Sequence, residues 1–263
     1  MRARDLRDYL TLRRLATNAW ATLRFRKRQR AGDVHTVQMR GAPVVRLRGD
    51  RADFHMFHRI FLADEYHLQG VQPASWKTVI DLGGNVGLFA VRAAPLAARV
   101  LSYEPYKDHF ACLQRNTMHW PNIEAVCCAV SGRPGPVRLY EPLSPRASGA
   151  YSTFCDLGRN MSKRWVEVTA VTLSDLFDRH NVETCDLLKI DVEGQEYAIL
   201  YATPPEVFER IERIHGEYHD VEKDDPRSRI GAFASFLRGR GYAVELAPHR
   251  SKDNHGMFYA TRR

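Results

Sequence analysis

The sequence predicts an α/β protein built on a doubly wound parallel sheet, and three observations carry that prediction. First, Thr78–Gly87, T-V-I-D-L-G-G-N-V-G, runs from a β-branched apolar stretch through an acid into a glycine-rich turn, and the helical-looking Leu88–Ala98 follows. Second, strand-like and helical segments alternate from Thr78 onward, the order that builds a parallel sheet. Third, Cys185–Leu200, C-D-L-L-K-I-D-V-E-G-Q-E-Y-A-I-L, repeats the strand–turn–helix pattern with acids at its turn.

A chain of 263 residues fits one large domain, or a domain with an appendage. Its 44% hydrophobic and 27% charged content suits a globular protein with a sizeable core. Five cysteines form no C-x-x-C pair and no apolar signal segment opens the chain, so reduced thiols and a cytoplasmic setting are expected. No run reaches the roughly 18–20 apolar residues of a membrane span. The net charge of +8 is uneven. Residues 1–30 hold ten Lys or Arg against Asp5 and Asp8, whereas the remaining 233 hold 29 bases and 29 acids. The basicity belongs to the N-terminal arm, and a nucleic-acid substrate finds no basic body to bind.

Residues 5–25 read as one amphipathic helix, with Tyr9, Leu12, Leu15, Ala16, Ala19, Trp20 and Leu23 on its apolar face. Such a basic helix either packs on the domain with its charged face in water or makes peripheral contact with an anionic membrane. A transit peptide is disfavoured by the lack of serine and by the two aspartates. Val34–Met39 and Val44–Leu47, separated by Arg40–Pro43, form a short hairpin. Residues 1–53 are therefore assigned to a basic helix and hairpin appendage, and 54–263 to the main domain. Phe54, Phe57 and Phe61 share a helical face ahead of Tyr66. His55, His58 and His67 have no carboxylate or cysteine at ligand spacing and read as packing or surface residues.

Beyond the glycine turn come a strand at Arg99–Tyr103, a helix at Lys107–Met118 and a strand at Ile123–Val130. Gly132–Arg164, rich in Gly, Pro and Ser, is an irregular insertion with one strand at Val137–Tyr140, and its Ala147–Lys163 part suits an acceptor-binding loop. Strand Val166–Val171, helix Thr172–Arg179, strand Arg213–Tyr218, helix Ser228–Gly239 and a closing pair, Tyr242–Leu246 with Met257–Thr261, complete the chain.

Glycines let backbone N–H groups approach a ligand closely, and a helix N-terminus adds free donors and partial positive charge. The spacing Asp81-x-Gly83-x-x-x-Gly87 is not the G-x-G-x-x-G of a dinucleotide fold, which argues against a nicotinamide oxidoreductase. An acid at the strand's end suits a cationic amine better than a pyrophosphate. Glu104, ending the next strand, is placed to accept both hydroxyls of a ribose. Together these ask for a nucleoside carrying an ammonium group, and S-adenosylmethionine fits. A glycine turn in some other α/β protein is the plainer alternative. Ligands in such sheets bind beyond the carboxyl ends of the strands, so Asp191 is expected to face the same crevice as Asp81 and Glu104. Glu196 reads as an acid satisfying free N–H groups at a helix start, and Glu193 is left open between that role and a catalytic one.

D-L-G-G-N-V-G at 81–87, Y-E-P at 103–105 with L-Q-R-N at 113–116, A-V-S at 129–131 and L-L-K-I-D-V-E-G-Q-E at 187–196 resemble the FkbM-type family of S-adenosylmethionine-dependent methyltransferases. The resemblance covers about residues 54–242 and leaves the arm outside. It implies a class I methyltransferase (Rossmann-like) fold, seven strands with helices on both faces, and O-methylation of a small-molecule, glycan or lipid-linked hydroxyl. One departure is Gly84, where the family usually has alanine. By resemblance and position, Asp81, Gly83, Gly84, Asn85 and Gly87 cradle the methionine part, Glu104 holds the ribose, and Ala129 and Ser131 flank the adenine. Asp191, Glu193 and His219 are the candidates for orienting or deprotonating the acceptor, with Lys189 and Glu217 behind them. A divalent metal on Asp191 with Glu217 or Asp220 is the disfavoured variant. The remaining alternatives are a methyltransferase fold that binds without catalysis and an N-methyltransferase acting on a small amine. The Asn/Asp-Pro-Pro-aromatic turn common in enzymes that methylate base amino groups is replaced here by Asp191-Val-Glu-Gly.

Overall fold

The computed structural model describes residues 3–30, 32–49, 51–143, 151–153, 161–220, 226–249 and 254–263. Most of the proposed acceptor loop, 147–163, lies outside them. The chain opens with helices α1 (Ala3–Leu15) and α2 (Ala19–Arg28), hairpin strands β1 (Val34–Val37) and β2 (Val45–Arg48), and α3 (Arg51–Phe57), which runs on into a π-helical turn at His58–Leu62. The single helix predicted over 5–25 is thus two. Its break has a local cause: Thr17 N donates to Gln38 O, Asn18 Nδ2 donates to Thr36 O, and Asn18 Oδ1 accepts from Gln38 N. The backbone at the break pairs with the hairpin instead of continuing the helix. Within α2, Ala19 and Leu23 are buried as predicted, whereas Trp20, at the margin of that face, is 55% exposed.

The body begins at β3 (Trp76–Leu82) and continues through α4 (Leu88–Ala93), β4 (Ala97–Tyr103), α5 (Lys107–Thr117) and β5 (Ile123–Val126). The helix predicted to reach Ala98 stops early, because a single 3-10 turn at Ala94–Leu96 contains Pro95, whose ring nitrogen donates nothing. The strand predicted over Ile123–Val130 also divides. After Val126 the chain leaves the sheet edge, and β6 (Ala129–Val130) joins β7 (Gly135–Pro142) and β8 (Met161–Val171) in a separate small sheet. Next come α6 (Leu173–Arg179), capped by Thr172 and Asp175, then β9 (Leu187–Ile190), α7 (Glu196–Ala202), α8 (Pro205–Phe208) and β10 (Arg213–His219). Helix α9 (Ile230–Gly239) leads to the hairpin of β11 (Tyr242–Pro248) and β12 (His255–Arg262).

The main sheet has seven strands in the order β11-β12-β10-β9-β3-β4-β5, with β12 antiparallel to both neighbours. It is the seven-stranded, doubly wound sheet expected. Strand order reverses at β3, flanked by β4 and β9, and that switch point is where the carboxyl ends of the strands open a crevice. Successive residues feed opposite faces. Ile80, Leu101 and Leu188 enter the core beneath α6, α7 and α9, while Val79, Val100 and Leu187 enter a second core. Double burial explains why these strands read as unbroken apolar runs. The arm does not stand apart from the second core. Leu12, Ala16, Ala19 and Leu23 pack there with Phe54, the stacked pair Phe57–Phe61 and α4. No helix among the described residues is long and apolar enough to cross a membrane.

Gly216 lies in β10, between β9 and β12, where a Cβ would sit 2.5 Å from the Ile190 carbonyl oxygen and 2.7 Å from the Phe258 ring. Gly216→Ala is expected to cost about 1–3 kcal/mol of overpacking strain. A urea denaturation series checks this through a lowered midpoint with unchanged slope.

Candidate active site

Sheet register places Asp81 of β3 opposite Ser102 of β4 on one side and Lys189 of β9 on the other. The three meet beneath the crevice. Ser102 Oγ donates to Asp81 Oδ2 at 2.7 Å, and Lys189 Nζ lies 3.0 Å from Asp81 Oδ1. The second contact is an ion pair rather than an aligned hydrogen bond, since Oδ1 has no well-directed donor. Lys189 directs its protons to the carbonyl oxygens of Leu82 and Gly83, at 3.1 and 2.7 Å. Asp81 is fully buried and does not line the cleft. The structure therefore gives it the task of neutralising Lys189 rather than the expected place on the wall, and Lys189 is committed to the glycine turn.

That turn is shaped by close approach. Gly83 has φ +80°, and a Cβ on it would lie 1.9 Å from the Asp191 carbonyl oxygen. Gly84 has no room for the family's alanine either, because a Cβ would stand 2.3 Å from Ser102 Oγ and 2.7 Å from Leu113 Cδ1. The serine bonded to Asp81 fills the space that an alanine methyl needs. Gly87, at φ +85° before α4, packs against Leu113 and Thr117 and does not reach the cleft.

Above this floor opens a cleft of about 1690 Å³, lined by Gly83, Gly84, Asn85, Glu104, Ala129, Asp191 and Glu193 among others. Glu104 is held by two backbone donors, Asn85 N to Oε2 and Tyr106 N to Oε1, both at 2.8 Å. Burial pushes its carboxyl up to about 7, against the opposing pull of those two N–H groups and of Lys189. Asn85 Oδ1 is buried with no partner. His109 and Tyr151 form another wall, where Tyr151 stacks on Tyr106 at 3.9 Å between centroids. Ser131 stays off the cleft, its Oγ 3.5 Å from Gln195 Oε1.

The opposite end of the cleft is acidic. Asp191 follows β9, and its Oδ2 accepts from Tyr66 OH at 3.3 Å. Burial raises the Asp191 carboxyl, as does the nearby charge of Glu217. Burial pushes Glu217 in the same direction, yet Arg59, 2.6 Å away, and His219 overcome it and hold Glu217 at about 2. Arg59 also pairs with Glu65. Glu193, at φ +54°, and Gly194 shape the turn into α7. Glu196 accepts from the backbone N–H groups of Val192 and Gly194, the helix-start role expected of it.

His219 lies behind these acids and does not line the cleft. Its Nδ1 is 3.1 Å from Glu196 Oε1, and its Nε2 is 3.5 Å from Glu193 Oε2. Burial would lower its pKa, but Glu196, Glu193 and Glu217 drive it up to about 10. A ring already carrying both protons cannot accept another, so this geometry makes His219 a counter-charge and not a base. Asp191, Glu196 and His219 present ligand atoms within 4.8 Å of one another, yet the His219–Glu196 contact occupies that grouping. The variant with Glu217 or Asp220 fits a cation no better. Glu217 is held by Arg59, and Asp220 accepts from Tyr197 OH and Ile230 N.

Sequence reasoning missed Arg59, His109 and Tyr151 as site residues, and treated Tyr66 only as a neighbour of the phenylalanine face. Arg59 reaches the site from the π-helical turn before β3 and Tyr66 from the loop that follows it, which no strand-tip rule points to.

Residues 81–244 match the family described as the methyltransferase FkbM domain. The chain is 27% identical over 231 residues to the 31-O-demethyl-FK506 methyltransferase FkbM of Streptomyces tacrolimicus, covering 78% of this chain and 86% of that protein. It is 27% identical over 188 residues to Methyltransferase 1 of Beauveria bassiana, covering 64% and 73% respectively. In fold it resembles the methyltransferase FkbM of Methylobacillus flagellatus, with a TM-score of 0.50 at 14% identity, over 98% of this chain and 59% of that one.

Removing the cation from the floor tests its role. Lys189→Met leaves a buried Asp81 without its counter-charge and is expected to cost about 3–5 kcal/mol. Adding Asp81→Asn should recover at least half of that loss in guanidinium unfolding.

Proposed function

The chain belongs to the FkbM methyltransferase family, and from its cleft we propose an S-adenosylmethionine-dependent O-methyltransferase acting on a hydroxyl of a sugar, glycolipid or natural-product scaffold. The observation that carries this reading is that Glu104 and Asp191 face one cleft across the Gly83–Asn85 turn. The residues fit the donor. Glu104, already fixed by two N–H groups, accepts hydroxyl donors from a ribose. The buried, unpartnered Asn85 Oδ1 offers an acceptor at the turn. Ala129 gives a small apolar surface beside it. The Streptomyces relative, named for 31-O-demethyl-FK506, supports oxygen as the acceptor atom.

When bound, S-adenosylmethionine supplies an electrophilic methyl on a sulfonium. The protein's part is to position the acceptor oxygen and receive its proton. Asp191 fits the second task, being cleft-lining and made more basic than an ordinary carboxylate by burial and by Glu217. Tyr66 OH occupies Oδ2 and so orients the carboxylate, leaving Oδ1 for the acceptor hydroxyl. Arg59 keeps Glu217 ionised, which sustains the repulsion that raises Asp191.

Asp191→Asn is expected to lower kcat by about 10²–10⁴ while leaving S-adenosylhomocysteine affinity within about threefold. Radiolabelled methyl transfer to hydroxylated acceptors, paired with calorimetry, reads both, and the wild-type rate should survive exhaustive chelation. Binding without transfer to any hydroxyl would favour the non-catalytic reading, and transfer to amines alone would favour N-methylation.

Glu104 sets a pH dependence. Its folded value, about 7, lies above the ordinary 4.5, so its contribution to stability is present below about 4.5 and lost as pH rises through 7. A ligand donating hydroxyls stabilises the ionised form, so S-adenosylhomocysteine affinity should strengthen from about pH 6 to 8, with proton release near pH 6.5. Glu104→Gln should weaken binding by about tenfold or more and flatten that profile, as read by calorimetry in buffers of different ionisation enthalpy.

A further inference from the structure

The outer face of the α1–α2 pair is unlike the rest of the surface. Taking about 100° per residue, the exposed arc of α1 runs Arg13, Leu6, Leu10, Arg14, Arg7, with the two leucines in its centre. On α2 the exposed arc runs Lys27, Trp20, Arg24, Arg28. Leu6 and Leu10 are each 45% exposed and Trp20 is 55% exposed. Tyr9, beside both leucines, stands edge-on to Trp20 at 5.9 Å, which joins the two helices into one apolar strip with cations on its flanks.

The acids of the arm do not soften this charge. Asp5 faces inward to Arg26 and Lys27, and Asp8 faces Arg26 and His58. Both carboxylates are thus spent inside the fold. The described outer side of the pair carries cations and apolar groups, while residues 31–263 balance to zero.

We propose that this outer face docks on an anionic lipid bilayer, with Leu6, Leu10 and Trp20 entering the headgroup region and the flanking arginines meeting lipid phosphates. An aliphatic and indole centre with a basic border is the pattern of a helix lying in the interface plane. Nucleic acid suits it less well, since aliphatic leucines at the middle of the strip meet no base or phosphate productively. Arg26 and Lys27 also line the cleft, from the side of the arm opposite this outer face in the case of Arg26.

Sedimentation of the full chain with vesicles tests the docking without any activity assay. Binding is expected to vesicles of phosphatidylcholine containing phosphatidylglycerol, to fall with added salt, and to be lost on phosphatidylcholine alone. Arg13→Glu/Arg14→Glu and Leu10→Ser/Trp20→Ser should each weaken it by about tenfold or more, with circular dichroism and melting temperature unchanged. The proposal is overturned by absence of phosphatidylglycerol-dependent sedimentation, or by sedimentation unaltered in either variant. Tight binding to short duplex DNA or RNA without vesicle binding would overturn it in favour of a nucleic acid.

Discussion

The buried ion pair between Asp81 and Lys189 is the constraint on which the cleft depends. Three adjacent strands contribute to it through sheet register, so it cannot form unless β4, β3 and β9 are aligned. Desolvating both charges is expensive, and only further hydrogen bonds make the pair tolerable. Those bonds are the Ser102 hydroxyl on Asp81 and the carbonyls of Leu82 and Gly83 on Lys189. The Gly83 carbonyl leaves the sheet ladder at the point where the turn begins, and the ammonium satisfies it there. The N–H groups of Gly83, Gly84 and Asn85 are bonded in turn to the Tyr103 carbonyl and the Glu104 carboxylate, so the turn is held through its donors as well as its oxygens.

The same fold sorts five neighbouring acids by what each faces. Asp81 and Glu217 have a cation at contact distance, and Glu196 has two backbone donors and an imidazolium. Asp191 has a phenol at 3.3 Å and the Glu217 charge nearby, and Glu104 has two amide N–H groups with the His109 ring Nδ1 at 3.8 Å. The two carboxyls raised along the cleft wall, Glu104 and Asp191, are therefore the ones without a cation in contact. Charged groups behind the wall thus leave two tunable carboxyls on it, one at each side of the glycine turn.

Much of this was legible in the sequence, because parallel strands buried on both faces announce themselves as apolar runs and glycine turns announce themselves by spacing. The doubly wound parallel sheet and the placement of Glu104 and Asp191 at one crevice follow from such local signals, whereas the count of seven strands comes from the family resemblance. Asp81 shows where they stop. Its position at a strand tip was readable, but its direction depends on Lys189, a residue 108 places later whose own role needs the register. His219 likewise reads as a base by type, and only the three surrounding glutamates reveal it as a cation. Trp20 sits at the margin of an apolar face whose centre, Ala19 and Leu23, is buried as a period of 3.6 requires. The Asp81 and His219 misses share one cause, partners brought together only by the fold.

The arm and the cleft share a frame, which bears on how a surface could influence chemistry. The inward face of α1 and α2 packs with Phe57 and Phe61 against the core that also receives Leu88 and Phe89 of α4. Helix α4 begins at Gly87, directly after the glycine turn, and Phe89 touches the ring of Tyr66, which in turn holds Asp191. Close-packed interiors transmit displacement rather than absorb it. The arm is thereby joined to the turn and the acid by a run of packed side chains. An appendage held only by a linker would have no such route, so the second core makes residues 1–53 a structural wall of the cleft.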